Sequence, residues 1–138
     1  LHTVDAIQTV ERIINFFPPH QHNLIRLQLS LVLEGVVSQR LLPRKDGSGR
    51  VPAVEIMMAT PTMNELLLQG KTNELYRAIK DGGYFGCQTF NQSLKTLYQK
   101  DHISLTEALL AADNPEELKM ELKGIMKGTH RGDFEFEY

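Results

Sequence analysis

The chain has one cysteine in 138 residues, Cys87, and that scarcity removes an internal disulfide and a cysteine-rich metal centre from consideration. A reducing, cytoplasmic setting suits such a sequence. Long apolar runs are missing too. The longest, residues 29–37, is interrupted by Glu34 and falls far short of the roughly 20 residues that span a bilayer. No secretory leader pattern opens the sequence. Charge of one sign is equally scarce: a formal net charge of −2 gives no field to gather nucleic acid or anionic lipid. A G-x-x-x-x-G-K-[ST] loop is absent as well, and Asp46-Gly47-Ser48-Gly49-Arg50 reads as a turn rather than a phosphate cradle. On its own the chain lacks the ordinary means of gripping a triphosphate.

What remains is the composition of a globular domain: 41% hydrophobic and 23% charged residues, enough for one domain or two small lobes with an apolar core. Thr3 is placed to cap a helix over 4–16, where Ile7, Val10, Ile13 and Ile14 recur at helical spacing. Pro18 and Pro19 end it. A second helix is predicted over 20–37, apolar on nearly all sides after Leu29 and therefore the expected core helix. Residues 38–58 read as a hairpin around the Asp46–Gly49 turn, with Pro43 and Pro52 at strand ends or on an edge.

From Thr60 and Pro61 onward the signals are repeatedly helical. Thr60 and Thr72 are candidate caps, Thr89 with Gln92 and Ser104 with Glu107 have capping-box spacing, and Asn114, Pro115 and Glu117 open a last helix. In that helix Leu118, Leu122, Ile125 and Met126 form one stripe. The glycine-rich stretch 81–86 is the main break among these helices, and 128–138 reads as a flexible tail.

Several residues invite a chemical role and have a plainer one. His20 and His22, two apart, point to different faces of a helix and do not make a metal site; His102 reads as a loop residue. Cys87 has no histidine or asparagine placed to activate it, so packing outweighs nucleophilic chemistry. The cluster Arg40, Arg44, Lys45 and Arg50 flanks the hairpin and could contact phosphate or an acidic surface, although solvated charges are the simpler reading. A helix-turn-helix would need a basic recognition helix, which is missing.

One likeness orders these pieces. Leu1-His2-Thr3 ahead of a helix, "RIINFFP" at 12–18, "LSLVLEGVVSQRLLPRKDGSGRVPAVEIM" at 29–57, Ala59-Thr60-Pro61, and "GCQTFNQSLKTLY" at 86–98 follow one another as they do in the second half of the type IV pilus retraction ATPases. These are the PilT and PilU group of hexameric motors within the secretion ATPase superfamily. The resemblance runs over roughly residues 1–127. It implies a mainly α chain with a β-hairpin: 1–60 as the C-terminal part of a RecA-like α/β ATPase core, 61–127 as a small helical subdomain, and 128–138 as a tail.

In that family the His box ends in the "LHT" motif, so the resemblance makes His2 a phosphate sensor in a longer parent. The parent would bind ATP and Mg2+. The Walker A loop, acidic box and Walker B motif lie upstream in the family and are not in this sequence, so no cofactor and no hydrolysis are expected of this chain alone. The resemblance further implies a homo-hexamer driving pilus retraction and twitching motility. Its partners would be a second retraction ATPase and the inner-membrane pilus platform protein. It would sit in the cytoplasm at that machinery, with no nucleic acid partner and no insertion into the bilayer. Arg12, Arg40 and Arg50 are the candidate contacts between subunits or domains.

Two departures refine the likeness. Extension and secretion relatives insert a four-cysteine zinc module where this chain closes the gap between Arg44 and Arg50 with a tight turn, which favours the retraction type. PilT-type motors carry a helix written AIRNLIRE after a "TP" pair. Here the aligned residues are Thr62, Met63, Asn64, Glu65, Leu66, Leu67, Leu68 and Gln69, without either arginine or the final glutamate. Together with the "INFFP" and "PRKDGSGRV" stretches, this favours a PilU-like, accessory role. The alternative is a non-enzymatic helical interaction module that binds motor subunits or another cytoplasmic partner.

Overall fold

A computed structural model describes residues 2–128, with side-chain environments through Gly124. The stripe positions Ile125 and Met126 and the tail residues 129–138 lie outside that description. Helix α1 (Ala6–Asn15) begins two residues later than the spacing suggested. Its cap is Asp5, extended at φ −154° and accepting the Gln8 amide at 2.7 Å. Thr3 instead sets its hydroxyl 2.7 Å from that of Thr9. A carboxylate caps at least as well as a threonine hydroxyl, and Asp5 is the last extended residue before the helix.

A 3-10 turn at Pro19–Gln21 leads into α2 (His22–Val32), which is five residues shorter at its end than expected. Leu33 turns extended at ψ 121°, and Val36 and Val37 join strand β1 (Gly35–Pro43). An apolar run does not by itself distinguish a helix from a buried strand, and here glycine and two β-branched valines settle the matter. Nor is α2 the core helix. Only Ile25 and Ser30 are buried on it, while Leu24, Leu27, Leu31 and Val32 stand in solvent.

Strand β1 pairs antiparallel with β2 (Arg50–Met58) from Gly35↔Met58 to Pro43↔Arg50. The turn is fixed by Asp46, whose carboxylate accepts the Ser48 amide at 2.9 Å. Gly47 and Gly49 take positive φ there, where a side chain would strain the backbone. Pro52 falls inside β2 opposite Leu41; a two-stranded sheet leaves each strand an open edge, which tolerates a missing donor.

Among the described residues five α-helices follow: α3 (Pro61–Gln69), α4 (Leu75–Asp81), α5 (Phe90–Gln99), α6 (Leu105–Ala111) and α7 (Pro115–Gly128). Thr60 caps α3, Thr89 and Gln92 complete both halves of a capping box on α5, Ser104 caps α6, and Asn114 accepts the Glu117 amide at the start of α7. Thr72 does not cap α4. It lies in a 3-10 turn and its hydroxyl donates to Glu11 at 2.9 Å. Among the described residues no helix is long and apolar enough to cross a membrane.

The apolar side chains gather in two clusters. Ala6, Val10 and Ile14 of α1 pack with Met57, Met63, Leu66, Leu67, Leu75, Ile79 and Cys87. Leu42, Val51 and Ala53 of the hairpin pack with Phe90, Leu94, Ile103, Ala108, Leu118 and Leu122. The inward side of β2, residues 51, 53, 55 and 57, runs through both clusters. Glu55 occupies the inward position where one gives way to the other.

Polar ties close the helical end. Lys80 of α4 pairs with Glu117 of α7, and the Tyr76 hydroxyl donates to the same carboxylate at 3.0 Å. The Lys80 hydrogen bond holds the Glu117 carboxyl below its ordinary value against the opposing effect of burial. A lowered folded-state pKa stabilises the fold above the unfolded value, and the contribution is lost as pH falls through the lowered one. Glu117→Gln is therefore expected to cost about 1–2 kcal/mol at neutral pH, the usual worth of a partly exposed hydrogen bond to a charge. The deficit should shrink in strong acid. Urea unfolding followed by circular dichroism at both pH values would measure it, and an equal deficit at both would contradict this account.

Candidate functional site

The residues that carry chemistry meet at the start of α1. His2 is exposed and sits at φ 51°, a left-handed conformation uncommon outside glycine. With Thr3, Gln8, Glu11, Arg12 and Asn15 it lines a surface recess of about 200 Å³. The structure thus brings His2 and Arg12 together: α1 rises directly from the His2 segment and presents Arg12 on the same side. The recess offers an imidazole, a guanidinium and a carboxylate. The imidazole and the guanidinium are the groups there that could meet an anion, and small-molecule sites generally have about 300 Å³ or more.

Arg40 lies elsewhere and is fully engaged within the chain. Its guanidinium donates to the Ala111 carbonyl at 2.8 Å and to the Val4 carbonyl at 3.2 Å. It pairs with Asp113 at 2.6 Å and stacks 3.8 Å from the centre of the Phe90 ring. The sequence-level basic cluster accordingly disperses. Arg44 contacts Asp46, Lys45 pairs with Asp101, and Arg50 is exposed at the hairpin turn opposite Pro43.

Glu55 went unnoticed in the sequence. It is 2% exposed and its carboxylate accepts the Ala6 amide at 2.7 Å, so β2 helps to cap the very helix that follows His2. A carboxylate at a helix N-terminus is favoured by the unpaired amides there. Burial raises its carboxyl pKa, the Ala6 hydrogen bond opposes this, Asp5 and Asp113 add to the rise, and Arg40 lowers it. The available signal was the alternation of β2: Val51, Ala53 and Met57 face inward, and a glutamate in that series needs a partner.

The segment aligned with AIRNLIRE forms α3. Met63, Leu66 and Leu67 are buried, while Thr62, Glu65, Leu68 and Gln69 face solvent. The Gln69 amide donates to Glu65 at 2.9 Å. Asn64 is half-buried and its carbonyl oxygen lacks a partner among the described residues. The outer surface of α3 therefore carries no cation. Of the histidines set aside above, His22 places Nε2 2.8 Å from the Phe17 carbonyl. Cys87 packs in the first cluster and its sulfur takes the Met58 amide at 3.4 Å.

No family model matches the chain. Individual proteins do. Over 123 residues it is 38% identical to the type IV pilus ATPase PilU of Pseudomonas aeruginosa, covering 89% of this chain and 32% of that protein. This chain is homologous to the type IV pilus ATPases PilU and PilT. The PilT retraction ATPase of the same organism is 40% identical over 116 residues, 84% of this chain and 33% of PilT. In three dimensions the chain matches the crystal structure of a pilus retraction motor PilT with bound ADP at a TM-score of 0.77 and 38% identity, over 87% of this chain and 33% of that one. The chain spans about a third of the length of the curated relatives it matches. The identities to PilU and PilT are nearly equal, and the mainly helical fold with its two-stranded hairpin matches the PilT structure.

Proposed function

We propose that this chain does the work of the corresponding third of a type IV pilus retraction ATPase. His2, at the head of α1, meets the terminal phosphate of ATP held with Mg2+ by residues outside this chain. Arg12 and Arg50, both exposed, make contacts between subunits of a homo-hexamer, and Arg40 makes the contact between the hairpin and the helical end. The motor acts in the cytoplasm at the inner-membrane pilus platform. The observation that carries this reading is the 38% and 40% identity to PilU and PilT, spread over 89% and 84% of the chain.

A second feature supports a working life inside something larger. Leu24, Leu27, Leu31 and Val32 on α2 are all more than two-fifths exposed, and a protein in water seldom leaves such an apolar helix face uncovered. The same face is what a non-enzymatic interaction module would use, so that reading is kept beside the motor. The coding sequence upstream of Leu1 separates them. An in-frame phosphate-binding loop supports the motor, and a start codon at Leu1 overturns it.

The cation-free outer surface of α3 supports an accessory role of the PilU kind. Asn64 and Leu68 in place of arginines cannot make charge-assisted forks. Deleting the gene should slow pilus retraction only partly while a PilT-like paralogue is present, and deleting both should abolish it. Full-rate retraction by this motor with no paralogue would refute the accessory role.

A further inference from the structure

We propose that Arg40 is a positioning residue that ties the His2 segment to the junction of α6 and α7, so that the two move as one body. Val4 lies two residues after His2, whereas Ala111 and Asp113 lie at the opposite end of the described chain. One guanidinium holds both, donating to Val4 at 3.2 Å and to Ala111 at 2.8 Å while pairing with Asp113 at 2.6 Å. The planar fork fixes these directions relative to each other. Stacking on Phe90 at 3.8 Å keeps the fork from swivelling, because the ring is fully buried in the second cluster.

The segment is fastened a second time from the same inward face of the hairpin. Glu55 takes the Ala6 amide at 2.7 Å, so residues 4–6 are held by a side chain from each of the paired strands β1 and β2. At the far end, Ala112 is extended between the two helices, and Asp113 precedes the residue that caps α7. A shift of Asp113 therefore shifts the start of α7. On the motor reading, on which only the consequence rests, a phosphate contact at His2 would be felt at α6 and α7 through these bonds rather than through solvent. Coupling of this kind needs a contiguous element that both ends bias.

Amide hydrogen exchange by NMR on the 138-residue chain tests the tie without nucleotide. Arg40→Ala risks unfolding, so the variants are Asp113→Asn, at a partly exposed residue, and Arg40→Lys, which keeps the charge and loses the fork. In both, the amide of Ala6, which Glu55 accepts, should exchange at least ~10-fold faster than in the parent, after division by the factor found for the slowest core amides such as Leu94. A brace with only a structural role would raise all protected amides by one common factor. That common factor, or unchanged exchange at Ala6, overturns the proposal. Either result leaves the motor reading untouched, and a start codon at Leu1 would remove the motor reading while leaving the exchange result in place.

Discussion

Truncating Phe90 to alanine should cost about 4–5 kcal/mol, enough to bring a domain of ordinary stability, about 5–15 kcal/mol, close to unfolding. Phe90 opens α5 directly after its cap Thr89, is 0% exposed, and fills the second cluster between the hairpin and the last helices. Deleting a buried phenyl ring leaves a cavity that costs about 3–5 kcal/mol in most cores. Here a further loss of about 1 kcal/mol follows, because the Arg40 guanidinium 3.8 Å above the ring loses its π face. Phe90→Leu separates the two effects: it restores most of the volume and none of the π face, and should cost about 1–2 kcal/mol. Urea unfolding of both variants is the measurement. A loss below about 2 kcal/mol for Phe90→Ala would mean that the second cluster collapses around the gap and that Phe90 is not its keystone.

The helix starts were legible where the signal is a side chain closing on its own backbone. Thr60, Thr89, Ser104 and Asn114 each accept the amide three residues on, and such bonds need no knowledge of the rest of the fold. Thr72 has the same chemistry but is drawn away by Glu11, a contact between segments that are distant in sequence. Residues 29–37 failed for another reason. Their apolar run satisfies helix and strand alike, and what decides is that Val36 and Val37 pair with Met57 and Ile56.

The site was legible unevenly for the same reason. His2 followed from a run of motifs in order, and Arg12 joins it because one helix carries both the approach and the arginine. Arg40 was read as a candidate contact between subunits or domains, whereas its partners within the chain, Ala111 and Asp113, come together only through the packing of α6 against β1. Glu55 shows the cost of reading charge without periodicity. As one residue of "VPAVEIM" it looks like a solvated strand glutamate, and only its inward register places the carboxylate under the amide of Ala6.

The largest functional effect is expected at His2. In a longer ATPase containing this chain, His2→Ala should cut turnover about 100-fold while leaving the fold within about 0.5 kcal/mol of the parent. The two halves of that expectation have separate causes. His2 is exposed and belongs to neither apolar cluster, so truncation removes little packing. Its recess with Arg12 and Glu11 faces outward, where a terminal phosphate would meet it, and one lost hydrogen-bond donor to charge developing on a transferring phosphoryl group commonly costs two to three orders of magnitude. Steady-state phosphate release and urea unfolding on the same preparation measure the two halves independently. The isolated chain supplies a contrast. Without backbone amides and a lysine around the β and γ phosphates, and without an acidic residue to position water, it should show no turnover above a blank. Magnesium-dependent hydrolysis by the chain alone, abolished by His2→Ala, would mean that this segment builds a complete site by itself and that His2 is more than a sensor.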